Sequence, residues 1–440
     1  MKSKDRRICV TQASVILAVL SLFGVGILSV NRLFEATHAQ GSVAVNARQA
    51  AEFIDSVGVN VHLNSNSNST AYGSFDQIIK PRLIELGITQ LRDEIMPNDQ
   101  ILDTRMNQLG ALGFKFQLIS SPQQVSRPDL LKFIKKYGFI RAVEGPKTPD
   151  STLGVNWLTV TRTYQQDIYQ GIKSDPATKN ILVAMPLLAS ANAVTQLGDI
   201  SSWVDCINLN NYYMGRNPGT AGWGDAGYGS LTWHLGLANQ VASGKSVISS
   251  ESGWHNLVNA SGTHPGVPES VAGKYVPRLY LEHLRRGLMR TFAYELIDER
   301  NDSVNAANNF GLLRYNGTPK ASFVALKNLV SLLRDPGSSF TPGRLGYTLS
   351  GNLTDVRQVL LQKRDGTFYL AVWVEAVNWD VDKKIEFTTS PRTLTVAVNS
   401  ALLSAAYCIP NDGVTWQSLA IRSNSISFPV SDKVTLLKLR

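Results

Sequence analysis

A carboxylate that leaves an apolar run straight into a loop of Gly, Trp and His is poorly explained by folding alone. Glu251 stands in that position, in Ser249-Ser250-Glu251-Ser252-Gly253-Trp254-His255 after Val247-Ile248. Its structural alternative is a salt-bridged strand terminus, with Arg92 as partner. Other groups that could do chemistry close apolar runs in the same way: His62, Arg92, Asp93, Glu94, Glu144, Tyr212, Tyr213, Glu295, Asp298 and Glu299. Carboxylates dominate, with aromatics around them. Two carboxylates facing each other across a cleft suit glycosidic bond cleavage: one protonates the leaving oxygen, and the other attacks the anomeric carbon or activates water. Sugar rings lay C–H faces on aromatic rings. Trp254, His255, Trp223, Tyr228 and Glu295 are therefore candidate substrate contacts. Trp223 and Tyr228 lie in the Gly-rich loop 214–230, which reads equally well as a mobile loop with two anchoring aromatics.

Other chemistries find less support. The six His show no His-x₃-His or His-Glu-x-x-His spacing, so no metal site is expected. No Gly-x-Ser-x-Gly elbow stands between a strand and a helix. The glycines of 214–230 do not open a helix after a strand, so they carry no phosphate logic. No cofactor is implied.

The elements that must position these residues are legible from periodicity. Apolar runs at 57–63, 88–94, 114–120, 140–146, 181–187, 204–213, 246–252 and 288–297 alternate with amphipathic segments at 75–86, 101–112, 127–137, 155–174, 192–202, 231–243, 268–287 and 318–334. Eight strand–helix repeats in about 280 residues match a (β/α)₈ barrel. The candidate residues then fall at the C-terminal ends of the strands, where barrel active sites lie. An open doubly wound sheet is disfavoured, since no Gly-rich fingerprint follows the first strand. Asp335-Pro336-Gly337 and Pro342-Gly343 punctuate the chain, and β-rich runs follow at 357–363, 367–375, 383–388, 393–398, 404–408, 416–421 and 425–439. Arg364-Asp365-Gly366 is a hairpin signal. The chain divides as 43–335, a barrel, and 336–440, a β-sandwich.

Residues 1–39 read as an address. A basic head (MKSKDRR), an apolar stretch from Ala13 to Val30 and a small-residue exit at Thr37-His38-Ala39 describe a signal peptide or, if uncleaved, an N-terminal membrane anchor. The expected location is exported: extracellular, periplasmic or cell-surface. The 43 Lys+Arg and 34 Asp+Glu give +9; residues 1–39 carry five and two of these, so their removal leaves +6. The remainder holds no run of five like charges, and Lys135, Lys136, Arg285 and Arg286 read as solvated helix faces. No nucleic-acid partner is supported. Three Cys exclude a disulfide scaffold; Cys206 and Cys408 read as buried thiols, with a single bridge as the alternative. Nothing specifies an oligomeric state.

The runs SVGVNVHLN (56–64), LGITQLRDE (86–94), VEGPKTPD (143–150), ESGWHN (251–256), GVPESVAGKYVPRLYLEHLRRG (266–287), FGLLRYNGTPKASFVALKNLVSLL (310–333) and LLQKRDGTFYLAVW (360–373) resemble clan A glycoside hydrolases, above all secreted bacterial members with a barrel and a trailing β-sandwich. The resemblance spans nearly all of 55–375. It implies a retaining mechanism on a poly- or oligosaccharide, with Glu251 as nucleophile, Arg92 steadying it, and Tyr212 or Tyr213 hydrogen-bonding it.

The fourth strand departs from the family pattern. Glu-Gly-Pro-Asn-Glu would be expected; this chain reads Glu144-Gly145-Pro146-Lys147-Thr148. The acid/base position is occupied by Thr148, which cannot protonate a leaving oxygen at neutral pH, and Lys147 brings a positive charge toward Glu251. Three explanations follow. Glu144 or Asp150 takes over as acid, although Glu144 and Thr148 are about 13 Å apart on an ideal strand. Alternatively, the leaving group needs no acid. Finally, the chain is a catalytically inactive glycan-binding relative using the same cleft. A purely structural or surface-anchoring role rests only on the N-terminal apolar run.

Overall fold

The computed structural model describes residues 44–65, 70–260 and 264–440; the address at 1–39 lies outside them. Eight parallel strands close into a barrel: Val57–Asn60, Gln90–Glu94, Lys115–Ile119, Ile140–Glu144, Leu182–Ala184, Cys206–Asn210, Ser246–Ser252 and Arg290–Ala293, taken below as first to eighth. Each pairs with its neighbour in sequence, and the eighth returns to pair with the first through Thr291–Val57 and Ala293–Val59. The interior is filled near its base by Ala184, Cys206, Ile248 and Phe292. Gly58 makes room there, because a Cβ at that position would lie 2.4 Å from the Phe292 ring.

The helices between the strands start and stop on local signals. Asp99 caps Gln100–Ala111 by accepting from Ile101 N and Leu102 N. Ser126 caps Arg127–Lys136, which carries Pro128 in its first turn and Lys135 and Lys136 in its last. The helix Glu269–Arg285 differs from the amphipathic, partly solvated element expected. All residues from Val271 to Leu284 are buried, because its second face packs on the C-terminal β region. Arg278, wholly buried, donates to Glu375 and to Asn378 Oδ1 at 2.9 Å across that contact.

The C-terminal region has two larger sheets, mostly antiparallel, around a shared apolar core that includes Tyr347, Leu370, Val372, Leu394, Val396, Phe428 and Leu437, and a two-stranded ribbon of Trp379–Asp380 and Ile385–Glu386. Several strands depart from the sequence reading, Trp379–Asp380 lying outside every expected run. Arg344–Gly351 lies ahead of the first expected run. The stretch 425–439 is split into Ser425–Val430 and Thr435–Leu439. Two short strands preceding the barrel also join these sheets. Ala44–Asn46 pairs with Arg344–Gly346, and Arg48–Gln49 with Leu361–Gln362. The chain segment just before the barrel thus belongs to the C-terminal sheets by pairing. Cys206 and Cys408 are free and buried. Among the described residues, no helix is long and apolar enough to cross a membrane.

Candidate active site

The seventh strand carries Glu251 to the barrel mouth. Its carboxylate meets three side chains from three other strand ends. Arg92 Nη1 donates to Oε1 at 2.7 Å, Lys147 Nζ reaches the same oxygen at 2.9 Å, and Tyr212 OH donates to Oε2 at 3.3 Å. Burial by itself would raise this carboxyl; Lys147 and Arg92 overcome it and hold the group at about 2. The ion pair with Arg92 that a structural role would require is present. It is shared with a lysine and a tyrosine at the mouth, which a strand terminus does not need.

Arg92 is the hub. Wholly buried, it donates through Nε and Nη2 to Glu144 (Nη2 at 2.9 Å) and through Nη1 to Asn60 Oδ1 at 2.8 Å. Gln117 and Asn208 complete the ring by donating to Glu144 at 2.9 and 2.6 Å. Asn60, Gln117 and Asn208 were not singled out by sequence reasoning. A polar residue inside an otherwise apolar strand run was the available signal.

This ring corrects the first explanation for the missing acid. Both Glu144 oxygens accept bonds inside the barrel, so that carboxyl is a structural partner of Arg92. Asp150 turns the other way, accepting from Ala189 N at 3.0 Å and Ser190 Oγ at 3.2 Å, which ties the fourth loop to the fifth. Thr148 is half-buried with a left-handed backbone (φ 46°), and its N–H donates to Leu187 O at 2.6 Å. Among the described residues, no carboxyl joins Arg92, Lys147 and Tyr212 in contact with Glu251.

The aromatic candidates separate into two groups. Tyr213 is buried and bonds to His283 Nε2 at 2.7 Å and Asn211, so Tyr212 alone of the pair meets Glu251. Trp254 and His255 are both buried, with their polar atoms bonded within the fold. Trp254 stacks on Tyr213 and donates from Nε1 to Arg216 O at 2.9 Å. His255 donates from Nε2 to His264 O at 2.5 Å and accepts Leu257 N at Nδ1. Replacing Trp254 by Phe should therefore cost about 1–2 kcal/mol in denaturant unfolding, with ligand affinity unchanged. Trp223 and Tyr228 pair through reciprocal backbone bonds of 3.0 and 2.9 Å and pack edge to face. With Tyr212, Trp233, His234 and His264 they line a cavity of about 280 Å³ beside Glu251's tyrosine. The loop that carries them is anchored by Glu375, which accepts from Asn217 Nδ2 at 2.7 Å and Gly219 N at 3.1 Å.

Barrel closure builds a second group. His62, at the end of the first strand, places Nε2 at 3.4 Å from Glu295 Oε2 and 3.7 Å from Glu299 Oε1, beyond the eighth strand. Burial pushes Glu295 well above the carboxylate range, and Glu299 nearby adds to the rise. Burial and Lys147 lower His62 to about 4, so its imidazole is neutral. Glu295 is wholly buried and accepts Tyr72 OH at 2.9 Å, while His62 and Glu299 reach solvent.

No protein-family model and no curated protein sequence matches the chain. Solved structures do. One is a family 39 glycoside hydrolase from Bacteroides cellulosilyticus WH2, with TM-score 0.60 and 15% identity, covering 88% of this chain and 82% of that one. Another is a glucosidase from Croceicoccus marinus, with TM-score 0.57 and 11% identity, covering 90% and 96%. A third is CelM2, a bifunctional glucanase-xylanase from a metagenome library, with TM-score 0.53 and 9% identity, covering 87% and 99%. The structural neighbours are clan A glycoside hydrolases, and the chain shares their fold: a closed eight-stranded parallel barrel followed by separate antiparallel sheets.

Proposed function

We propose that this protein is an exported, glycosidase-type protein that takes a poly- or oligosaccharide at the barrel mouth, with Glu251 as the nucleophile of a retaining reaction. The observation that carries the proposal is the Glu251 carboxylate held ionised at the strand ends among Arg92, Lys147 and Tyr212. In the first step a Glu251 oxygen bonds to the anomeric carbon, and the glycosidic C–O bond breaks with its electron pair leaving on the departing oxygen. Position 148 offers no proton to that oxygen. Turnover of an unactivated saccharide is therefore slow, leaving groups stable as anions react faster, and water attacks the glycosyl-enzyme without base help.

One observation favours a second reading, glycan binding without turnover. The Lys147 ammonium sits on Glu251 Oε1, the same oxygen that Arg92 holds, and so lowers its nucleophilicity. An assay with dinitrophenyl glycosides, with and without azide, separates the two. Azide intercepts a glycosyl-enzyme without needing a base, so azide-accelerated release that vanishes in Glu251→Gln supports the retaining reading. Absence of release in either condition, with oligosaccharide binding intact, supports the second.

A further inference from the structure

The group at the junction of the eighth and first strands goes beyond that reading. His62, Glu295 and Glu299 each place one ligand atom so that all lie within 4.8 Å of one another. The two His62 contacts are not hydrogen bonds: Nε2 is buried and has no partner. Glu295 is wholly buried, and its Oε1 also has no partner. Two buried polar atoms of one cluster, His62 Nε2 and Glu295 Oε1, are thus left without a partner. Among the described residues, no Lys or Arg lies within ion-pair distance of either carboxyl, and Lys147 is engaged by Glu251. Leaving buried polar atoms unpaired is costly, whereas a cation bound among the three ligand atoms, in place of the proton on Glu295, would give the cluster its partner.

The geometry points to a divalent cation site formed by His62, Glu295 and Glu299 at the mouth of the barrel. One imidazole nitrogen and two carboxylate oxygens suit Zn²⁺ or Mn²⁺ better than Ca²⁺, which gathers six to eight oxygens. Tyr72 OH, donating to Glu295 Oε2 at 2.9 Å, orients the buried ligand from behind, as outer partners do in metal sites. The His62 and Glu299 side chains are 27% and 26% exposed although His62 Nε2 is itself buried, so the cluster lies at the edge of solvent, where water or a sugar hydroxyl would complete the coordination. Three protein ligands with open positions is the pattern of a site that meets substrate, not of a closed structural one.

Calorimetric titration of the full, untagged chain with zinc chloride or manganese chloride alone tests the site. One cation per chain is expected, and His62→Ala and Glu299→Gln should each weaken binding by about tenfold or more, with unchanged circular dichroism. Glu299 is partly exposed, so its variant keeps the test valid if His62→Ala fails to fold. No binding of either salt by the unaltered chain, or binding that survives both substitutions, overturns the site. No sugar is present in the titration, so its outcome is independent of whether Glu251 turns over glycosides.

Discussion

The double variant Lys147→Asn, Thr148→Glu is expected to raise kcat/KM on glycosides with poor leaving groups by about 10²–10⁴-fold, the range that general acid–base help supplies. Two changes are needed because the two residues obstruct different steps. Lys147 holds Glu251 Oε1 at 2.9 Å and, with Arg92, keeps its carboxyl at about 2. Removing it leaves Arg92 and Tyr212 to orient a stronger nucleophile. Thr148 lacks the proton. Its left-handed backbone is no obstacle to Glu, because a β-branched residue is the worse occupant of that region. The backbone bond from residue 148 to Leu187 O survives the exchange. Thr148→Glu alone should do little, since the new carboxylate would pair with Lys147. The check is a leaving-group series: the steep dependence of rate on leaving-group acidity should flatten only in the double variant. A double variant that binds oligosaccharide yet keeps the original rate would remove position 148 from the acid role.

Arg92→Ala is expected to destabilise the fold by about 3–5 kcal/mol in denaturant unfolding, the usual cost of removing one partner of a buried ion pair. Among the described residues Arg92 is the one cation inside the ring of Asn60, Gln117, Glu144 and Asn208, and Glu144 and Glu251 share it. Its loss strands a carboxylate with no exposed surface. Arg92→Lys should not rescue, because one ammonium cannot replace a fork that spans two carboxylates and an amide. The deficit depends on pH. In the native chain the folded Glu251 carboxyl is lowered from 4.5 to about 2, so its contribution is fully present above 4.5 and is lost as pH falls toward 2. The Arg92→Ala deficit should therefore be largest near neutral pH and shrink on acidification, as the stranded carboxyls protonate. A deficit independent of pH would show that Arg92 acts through packing alone.

The sequence by itself determined the architecture. Short apolar runs alternating eight times with 3.6-period segments can bury both faces of a parallel sheet only by closing or stacking, and the run positions match the observed strands to within a few residues. It also determined that Glu251, Arg92 and Tyr212 sit at strand ends, because a charged residue closing an apolar run has only the mouth to occupy. The exception at Arg344–Gly351 is physical: Gly346, Gly351 and alternating polar residues weaken its β signal, and cross-strand pairing supplies what propensity lacks. The direction of side chains was decided only in three dimensions. The register slips by one residue at Ser250 of the seventh strand, between the pairs Leu209–Ser249 and Asn210–Glu251, and strand parity cannot be counted through such a slip to Glu251 and Trp254; Tyr212 meets Glu251 while Tyr213 and Trp254 turn into the core. Glu144 and Asp150 both stood as candidate replacement acids, Glu144 the more distant along the strand, yet one is consumed by Arg92 and the other by the fifth-strand loop. The His62, Glu295 and Glu299 cluster is the clearest case. No ligand spacing announces it, because its members lie some 230 residues apart and meet only where the eighth strand pairs with the first. Local periodicity writes the strands into the chain, whereas closure of the barrel, a long-range event, selects which strand ends become neighbours.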